Sequence, residues 1–357
     1  SLGGFVCQAV VVEAELWKVG QLTPGDTIQF VPISYETAKL LKESQDKAIE
    51  TFSDGSLIQL REDLFLPKYE NPILAVLPKR SDLSPKVTYR QAGDRYILVE
   101  YGDLELDLNI CYRINRLINE VERHNTVGIV EMSQGVRSVL IEFDGYKIDQ
   151  MTLLDCLRAY ESEIHFDKNW TIKSRVFKLP MAFEDSKTLD CVTRYRETIR
   201  SDAPWLPNNV DFIADVNDIS RDDVKNMLYS ARFMVLGLGD VFLGSPCAVP
   251  LDPRHRYLGT KYNPSRTYTA RGVVGIGGMY MCIYNAEGSP GGYQLVGRTI
   301  TAWDKLVIGD HPIGHQWLLT PFDQVEFYPV SEEEIEVIIQ DNDNVKFKII
   351  VDDSVID

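Results

Sequence analysis

Glycine clusters are the first part of the sequence whose spacing could serve chemistry. They lie at residues 237–239, 275–278 and 288–292. A nucleotide-binding loop needs GxGxxG or GxxxxGK spacing and opens a helix, and none of the three clusters does either. We interpret the first cluster as tight corners of a barrel. The last contains the segment SPGG, which we expect to be a loop whose backbone N–H groups approach a ligand, because a second glycine pair lies at the matching point of an internal repeat.

Two histidines have the spacing of helical zinc ligands. His311 and His315 are four residues apart, but Pro312 and Gly314 between them argue against a helix, and the glutamate of a metalloprotease motif is missing. The sequence therefore predicts no metal site. The run Asp252-Pro-Arg254-His255 has two interpretations, a catalytic group or a turn capped by Asp252.

Three arginines between residues 266 and 298 could bind a carboxylate. Arg266, Arg271 and Arg298 lie in this region, and a surface salt bridge is the alternative interpretation for each of them. The acidic run from Ser331 to Glu336 is interpreted as a solvated face.

Composition restricts the class of protein. The 357 residues are 44% apolar and 10% aromatic, as in globular proteins, and are sufficient for two or three domains. A net charge of −16 disfavours nucleic acid as a partner. Six dispersed cysteines without a CxxC pair predict neither a disulfide framework nor a zinc site, and favour a reducing, cytoplasmic setting. No apolar run is long enough to span a membrane, and the opening at Ser1 within strand-like sequence suggests a piece of a longer polypeptide.

The chain contains an internal repeat. Residues 21–34, QLTPGDTIQFVPIS, match residues 318–331, LLTPFDQVEFYPVS, and a glycine pair precedes each copy, at 3–4 and at 291–292. Because a lone pair of strands would be unstable, we expect residues 1–34 to be the C-terminal strands that close a second barrel. Seven positions are identical: Leu22/Leu319, Thr23/Thr320, Pro24/Pro321, Asp26/Asp323, Phe30/Phe327, Pro32/Pro329 and Ser34/Ser331.

Hydrophobic periodicity divides the rest of the chain. Residues 35–85 are interpreted as a linker with a helix at 35–51. Residues 86–185 are predicted to form a ferredoxin-like α/β subdomain. Its predicted elements are strands at 86–91, 96–101, 127–132, 138–143 and 174–183, and helices at 107–122 and 150–164.

Short strands broken by glycine and proline follow a helix. Ser220 to Asp223 fit a capping box that opens a helix through Ala231. The pattern of short strands interrupted by glycine and proline within residues 186–331 is typical of a barrel. The predicted fold class is thus α+β, with a β-barrel, an α/β subdomain and the closing strands of a second barrel.

Three segments carry a resemblance to a known family. GSPGGYQLVGRTITAWD at 288–304, VVGIGGMYMCIY at 273–284 and LDPR at 251–254 resemble the allophanate hydrolase subunit 1 family, whose members include Kip-inhibitor and 5-oxoprolinase proteins. The resemblance covers about residues 86–331. The first 34 residues resemble the end of the companion subunit 2 family. The resemblance implies that both barrels are cyclophilin-like and that residues 332–357 connect towards a biotin-carrier domain.

The order of the two resemblances is that of urea carboxylases and urea amidolyases. It implies part of a biotin-dependent carboxyltransferase, a ligase component that moves a carboxyl group from carboxybiotin to urea and gives allophanate. ATP would be used by a biotin carboxylase domain elsewhere in the same polypeptide, and the fragment alone is expected to be inactive. The alternatives are a 5-oxoprolinase component and a non-catalytic module that inhibits a kinase.

Candidate site residues follow from the resembling segments. Asp240, Tyr280 and Arg271 are candidates for an amide acceptor, a proton-relay hydroxyl and a carboxylate clamp. The family's usual GGQTG is replaced here by Gly277-Gly278-Met279-Tyr280, which argues against 5-oxoproline as substrate. Residues expected to bind the substrate are Gly278, Ser289, Gly291, Gly292, Tyr293 and Gln294.

Overall fold

A computed structural model describes most of the chain as two compact units. The described residues are 9–66, 71–81, 84–164, 171–239, 244–303, 317–343 and 348–356. An α/β unit comprises the described residues up to 164, and a barrel unit comprises those from 171 onward. None of the helices in these ranges is both long and apolar enough to cross a membrane.

Short helices open the α/β unit. A 3-10 turn at Glu13–Glu15 leads into α1 (Leu16–Val19), and α2 follows at Tyr35–Thr51. The α2 helix begins where the Ser34 hydroxyl accepts a hydrogen bond from the backbone N–H of Thr37, which satisfies one of the first free amides. The predicted helix at 35–51 is confirmed.

Five antiparallel strands and two helices complete this unit. The strands are β1 (Ile73–Leu77), β2 (Val87–Ala92), β3 (Tyr96–Tyr101), β4 (Ile129–Gln134) and β5 (Ser138–Phe143), in the order β1-β2-β3-β5-β4. Alternate residues of β3 and β5 are buried, so one face of the sheet meets α3 (Leu108–His124) and α4 (Gln150–Glu163). The α/β sandwich therefore has its core between one sheet face and two helices.

Twelve elements follow in the barrel unit. The strands are β6 (Ile172–Phe183), β7 (Arg232–Leu238), β8 (Pro246–Pro250), β9 (Val273–Gly277), β10 (Tyr280–Ile283), β11 (Gln294–Thr299), β12 (Gln324–Pro329) and β13 (Ile350–Ile356). The helices are α5 (Ser186–Thr198), α6 (Asn209–Asn217), α7 (Arg221–Ser230) and α8 (Glu332–Asp343).

Pairing between β6 and β11 closes the barrel. The sheet runs β11-β9-β10-β8-β7-β12-β6, and β11 then pairs with the end of β6, so seven strands form a closed ring. Closure requires glycine at position 297, because a Cβ there would lie 2.4 Å from the carbonyl oxygen of Ala182. The predicted α+β fold with a barrel and an α/β subdomain is confirmed, as is the Ser220 capping box at the start of α7.

Three boundaries differ from the prediction. The interval interpreted as a linker contains β1, which pairs with β2. The β6 strand, predicted as the last strand of the α/β subdomain, belongs to the barrel, and β13, predicted as part of a connector, pairs with β6 along seven residues. Strand periodicity identifies a strand without identifying its partner, so the domain to which β6 belongs was not visible in its sequence.

The acidic run from Ser331 to Glu336 is not a wholly solvated face. It begins α8, where the Ser331 hydroxyl accepts a hydrogen bond from the N–H of Glu334. Ile335 is fully buried in the barrel core, and Glu336 forms an ion pair with Arg298. One side of this helix therefore packs on the barrel, which net charge alone could not indicate.

The N-terminal copy of the repeat contains no strand within residues 9–34. Residues 27–32 form no strand ladder within the described chain: the carbonyl of Pro32 accepts a hydrogen bond from the N–H of Leu66 at 2.8 Å, and Phe30 is 69% exposed. One hydrogen bond does not make a strand, because a ladder needs a series of them along a partner, which explains the difference from the expected strands. That these residues close a second barrel stays a prediction.

An ion triad with two buried members, Arg298 and Asp185, attaches helices to the barrel wall. The Nε of Arg298 in β11 lies 2.7 Å from a carboxylate oxygen of Asp185, whose side chain is fully buried, and Arg298 also binds Glu336 of α8. Asp185 in turn caps α5 by accepting from the N–H of Thr188. Arg298 therefore connects β11 to the start of α5 and to α8.

Replacing Arg298 with alanine is expected to lower the free energy of unfolding by about 3–5 kcal/mol, because it leaves the Asp185 carboxylate buried without its cation. Denaturant titration followed by circular dichroism measures the change. The matched control is Arg232→Ala, which removes an exposed pair with Glu326 and should cost under about 1 kcal/mol. Equal losses in the two variants would contradict the role given to Arg298.

Candidate active site on the barrel

Neighbouring glycines in β9 create a flat surface for an aromatic ring. A Cβ on Gly275 would lie 2.8 Å from the Cβ of Tyr293, and a Cβ on Gly277 would lie 2.4 Å from its ring. The Tyr293 side chain therefore lies directly across the β9 backbone. The second glycine cluster is explained by this contact between β9 and the residue before β11.

The SPGG loop is held closed by its own hydrogen bonds. The Ser289 hydroxyl donates to the carbonyl of Ala286 at 2.6 Å, and the Gly291 N–H donates to the carbonyl of Arg266 at 3.1 Å. Gly291 must be glycine, because a Cβ there would lie 2.3 Å from the Tyr284 hydroxyl. The Gly291 amide, expected to contact a ligand, is thus already used within the loop.

Arg266 is a buried cation behind this loop. Its side chain is among the largest that the structure buries completely. It donates to the carbonyl of Tyr293 at 2.6 Å and to the hydroxyl of Tyr284 at 3.1 Å, and its guanidinium lies 4.4 Å from the ring centre of Tyr262. Carbonyl, hydroxyl and aromatic faces thus replace water around the charge. The contact fixes the loop on the barrel wall.

Phenols and thiols surround the Tyr293 ring. Burial is the main cause that raises the pKa of Tyr293, and its neighbours Cys282 and Cys247 act in the same direction. Burial also raises the pKa of Cys282 to about 12 and that of Cys247 to about 11, so both thiols are protonated at neutral pH. Lys261 places its ammonium 5.3 Å from the centre of the Tyr293 ring. The cluster therefore offers neutral hydroxyl donors beside one cation.

Gln294 contributes a buried acceptor. The side chain is fully buried, and its Nε2 donates to the carbonyl of Thr260 at 2.6 Å. Its Oε1 is buried and has no hydrogen-bond partner within the described part of the chain. Buried polar atoms are rarely left unpaired, so this oxygen marks a position where an N–H donor would be stabilised.

Several predicted site residues come together here. Tyr280 is close enough to Tyr293 to raise its pKa, and Gly278, with φ of +58°, forms the turn next to Tyr280 and pairs with Gly259. Gly292 is buried in the same loop, and its carbonyl accepts from the N–H of Tyr262.

Arg271 lies elsewhere. It precedes β9, whereas Tyr280 pairs with the last residue of that strand, so the five-residue length of β9, roughly 15 Å, separates them. The Arg271 amide donates to Glu287, whose pKa is lowered: burial acts to raise it, but hydrogen bonds from Tyr268 and Arg271 outweigh that effect. Asp240, the remaining catalytic candidate, lies outside the described residues.

The sequence analysis did not predict Lys261 as a site residue. It gave Arg266 only as one of three arginines that could bind a carboxylate. Lys261 follows no motif, and only the folded chain brings it over Tyr293. The density of tyrosines around Arg266 in the sequence could have indicated a buried cation held by aromatic rings.

Other candidates do not form a site. Asp252 accepts from the N–H of Arg254 at 2.9 Å, which favours its interpretation as a turn cap. His311 and His315 lie outside the described residues. In the α/β unit Glu120, His124 and Glu163 have metal-ligand spacing, but the Arg123 guanidinium binds both carboxylates at 2.7 Å and already supplies the positive charge.

Comparison with known proteins identifies the region. Residues 87–309 match the family described as carboxyltransferase domain, subdomain C and D, and residues 1–32 match subdomain A and B of the same domain. The second match includes residues 21–32 of the N-terminal copy of the repeat.

Two curated relatives and one solved relative are much longer than this chain. It is 76% identical to the urea amidolyase of Lachancea kluyveri and 68% identical to that of Saccharomyces cerevisiae, in both cases over its full length and about a fifth of the relative. The crystal structure of the urea carboxylase of Kluyveromyces lactis is 86% identical with a TM-score of 0.94, over 99% of this chain and 31% of that one.

Replacing Gly291 with alanine is expected to displace Tyr284 and lower the free energy of unfolding by about 1–3 kcal/mol. The matched control is Gly292→Ala, because a Cβ on Gly292 would have no neighbour closer than 3.5 Å. Denaturation of both variants measures the difference. An equal effect of the two substitutions would contradict the close approach of Tyr284 to the loop.

Proposed function

We propose, since the chain belongs to the carboxyltransferase domain family, that it forms part of the carboxyltransferase of a biotin-dependent urea carboxylase. The substrate would be urea, and the product of carboxyl transfer would be allophanate. The names of the relatives support this function. Because the chain spans about a fifth of the curated relatives, the biotin carboxylase domain, the biotin-carrier domain and the rest of the subunit 2-like barrel are proposed partners in one longer, cytoplasmic polypeptide.

The cluster around Tyr293 is the observation that carries the proposal. A carboxyl group in transfer is anionic and needs a cation, and Lys261 is the cation beside the ring. Urea presents N–H donors and one carbonyl oxygen. The unpaired Oε1 of Gln294 suits an N–H donor, and a phenol hydroxyl such as that of Tyr280 suits the carbonyl.

The residues around Tyr293 also suit carboxybiotin, the group that would deliver the carboxyl. Carboxybiotin, when its carrier domain brings it, supplies the carboxyl group. Lys261 would bind the carboxylate oxygens, and the ring of Tyr293 would keep water from them. Because burial raises the pKa of Tyr293, its hydroxyl stays protonated at neutral pH and acts as a donor.

Substrate orientation would come from the loop. Arg266 holds the carbonyl of Tyr293 and the hydroxyl of Tyr284, so the loop needs no rearrangement to receive a planar molecule. Arg271, the clamp suggested by sequence, would act only at the far end of β9, and we assign the clamp to Lys261 instead.

Replacing Lys261 with methionine in the full-length polypeptide should lower kcat/KM for urea by at least about tenfold, because the transferring carboxylate loses its cation. Carboxylation of biotin measured without urea should be unchanged. Lys225→Met is the control, since Lys225 also lies over an aromatic ring, Phe183, on a different part of the barrel. Full urea-dependent turnover in the Lys261 variant would contradict the proposed site.

The isolated 357-residue chain is expected to form no allophanate from urea and carboxybiotin, because the complementary barrel is largely missing. Restoring the companion domains should restore urea-dependent transfer, measured as allophanate formed. Two outcomes would redirect the assignment. Hydrolysis of 5-oxoproline by the restored protein would favour a 5-oxoprolinase component, and inhibition of a kinase without any turnover would favour an interaction module.

A further inference from the structure

A cavity lies in the α/β unit. It has a volume of about 290 Å³ and opens where the end of β1, the start of β2 and the helices α3 and α4 meet. This volume is near the lower end of small-molecule sites. One wall is apolar, formed by Leu77, Pro78, Pro85 and Val87.

The base of the cavity is a fixed, neutralised ion pair. The guanidinium of Arg113 lies 2.7 Å and 2.5 Å, through Nε and Nη2, from one carboxylate oxygen of Glu161, and the Tyr101 hydroxyl donates to the other oxygen at 2.7 Å. All three side chains are buried. The negative charge of Glu161 is therefore already balanced by Arg113. It does not make the electrostatic potential of the open cavity negative.

The rim carries a surplus of positive charge. Arg80 and Arg158 line it together with Asp155. Arg158 reaches Asp155 at 3.4 Å, and the Asp155 side chain is 72% exposed, so this pair is weak and can be replaced. Arg80 forms no side-chain ion pair with another described residue. The described lining thus has three arginines, Arg80, Arg113 and Arg158, against two carboxylates, Asp155 and Glu161, in a chain whose net charge is −16.

A tyrosine hydroxyl without a hydrogen-bond partner among the described residues lies near the charged residues of this cavity. Tyr89 is fully buried, and its hydroxyl has no hydrogen-bond partner among the described residues. It is near enough to Glu161, Arg158 and Arg113 that their charges act on its pKa, which burial raises. Tyr89 follows Val87 by two residues in β2, so both side chains lie on the same face of the strand. Tyr89 does not itself line the cavity, so we assign it no contact with a ligand.

We propose that this cavity binds a small organic oxyanion, a carboxylate or phosphate head on a short apolar body. Arg80 and Arg158 bind the head, since planar guanidinium groups match two oxygens of such an anion. The body lies against the wall of Leu77, Pro85 and Val87. This site is independent of the function proposed for the barrel, because its walls belong to the α/β unit alone.

Titration calorimetry of the full chain with inorganic phosphate and with butyrate tests the proposal. We expect saturable binding of at least one anion, weakened about tenfold in Arg158→Gln and in Arg80→Gln. Binding of phosphate alone identifies a phosphoryl head, and binding of butyrate alone identifies a carboxylate head.

Arg61→Gln is the matched control. Arg61 is an exposed arginine of the same unit, paired only with exposed Asp63, and it does not line the cavity. The control should bind like the unmodified chain. Absence of saturable binding of both anions would overturn the proposal, and so would an equal loss of affinity in Arg158→Gln and Arg61→Gln, which would indicate general attraction to positive charge.

Discussion

Closure of the barrel between β6 and β11 is the constraint on which the rest of the barrel unit depends. β6 pairs with β11, β12 and β13, and the Thr299 hydroxyl of β11 donates to the carbonyl of Pro180 at 2.6 Å. The two backbones approach so closely that position 297 has no space for a side chain. Because β11 is fixed at this end, its other end holds Tyr293 and Gln294 against β9. Packing in the candidate site is thus a consequence of how the ring closes.

Buried arginines show three ways in which an acidic protein keeps cations in its interior. Arg298 is matched by carboxylates, Arg113 by a carboxylate that also receives a phenol, and Arg266 by neutral oxygens and aromatic faces. The Arg113 pair is neutral, the Arg298 group has one excess carboxylate, and both connect secondary structure. In the third the charge is not cancelled by a neighbouring anion in these contacts, so its field extends toward the site around Tyr293. A positive field suits a site for an anionic carboxyl group.

The repeated turn shows which structure forms from the local sequence and which structure requires tertiary contacts. In both copies the threonine amide donates to the aspartate at 2.7 Å, through Thr23 to Asp26 and through Thr320 to Asp323. Only the second copy continues into a strand, and there Arg175 of β6 binds Asp323 at 2.5 Å. The motif alone therefore makes the turn, whereas a neighbouring strand is needed before the following residues form a sheet.

The sequence by itself determined elements whose signals are local. Periodicity placed α2, α3 and α4, the Ser220 capping box placed α7, and the glycine and proline texture indicated a barrel. Sequence motifs also predicted Tyr280, Gly292 and Tyr293 as residues of one site. Tertiary structure decided the partners: β6 and β13 joined the barrel, Lys261 came over Tyr293, and Arg271 was separated from Tyr280. The reason is physical, because hydrogen bonds within a helix or turn join residues near in sequence, whereas strand pairing, ion pairs and ring contacts join residues that meet only once the chain has closed on itself.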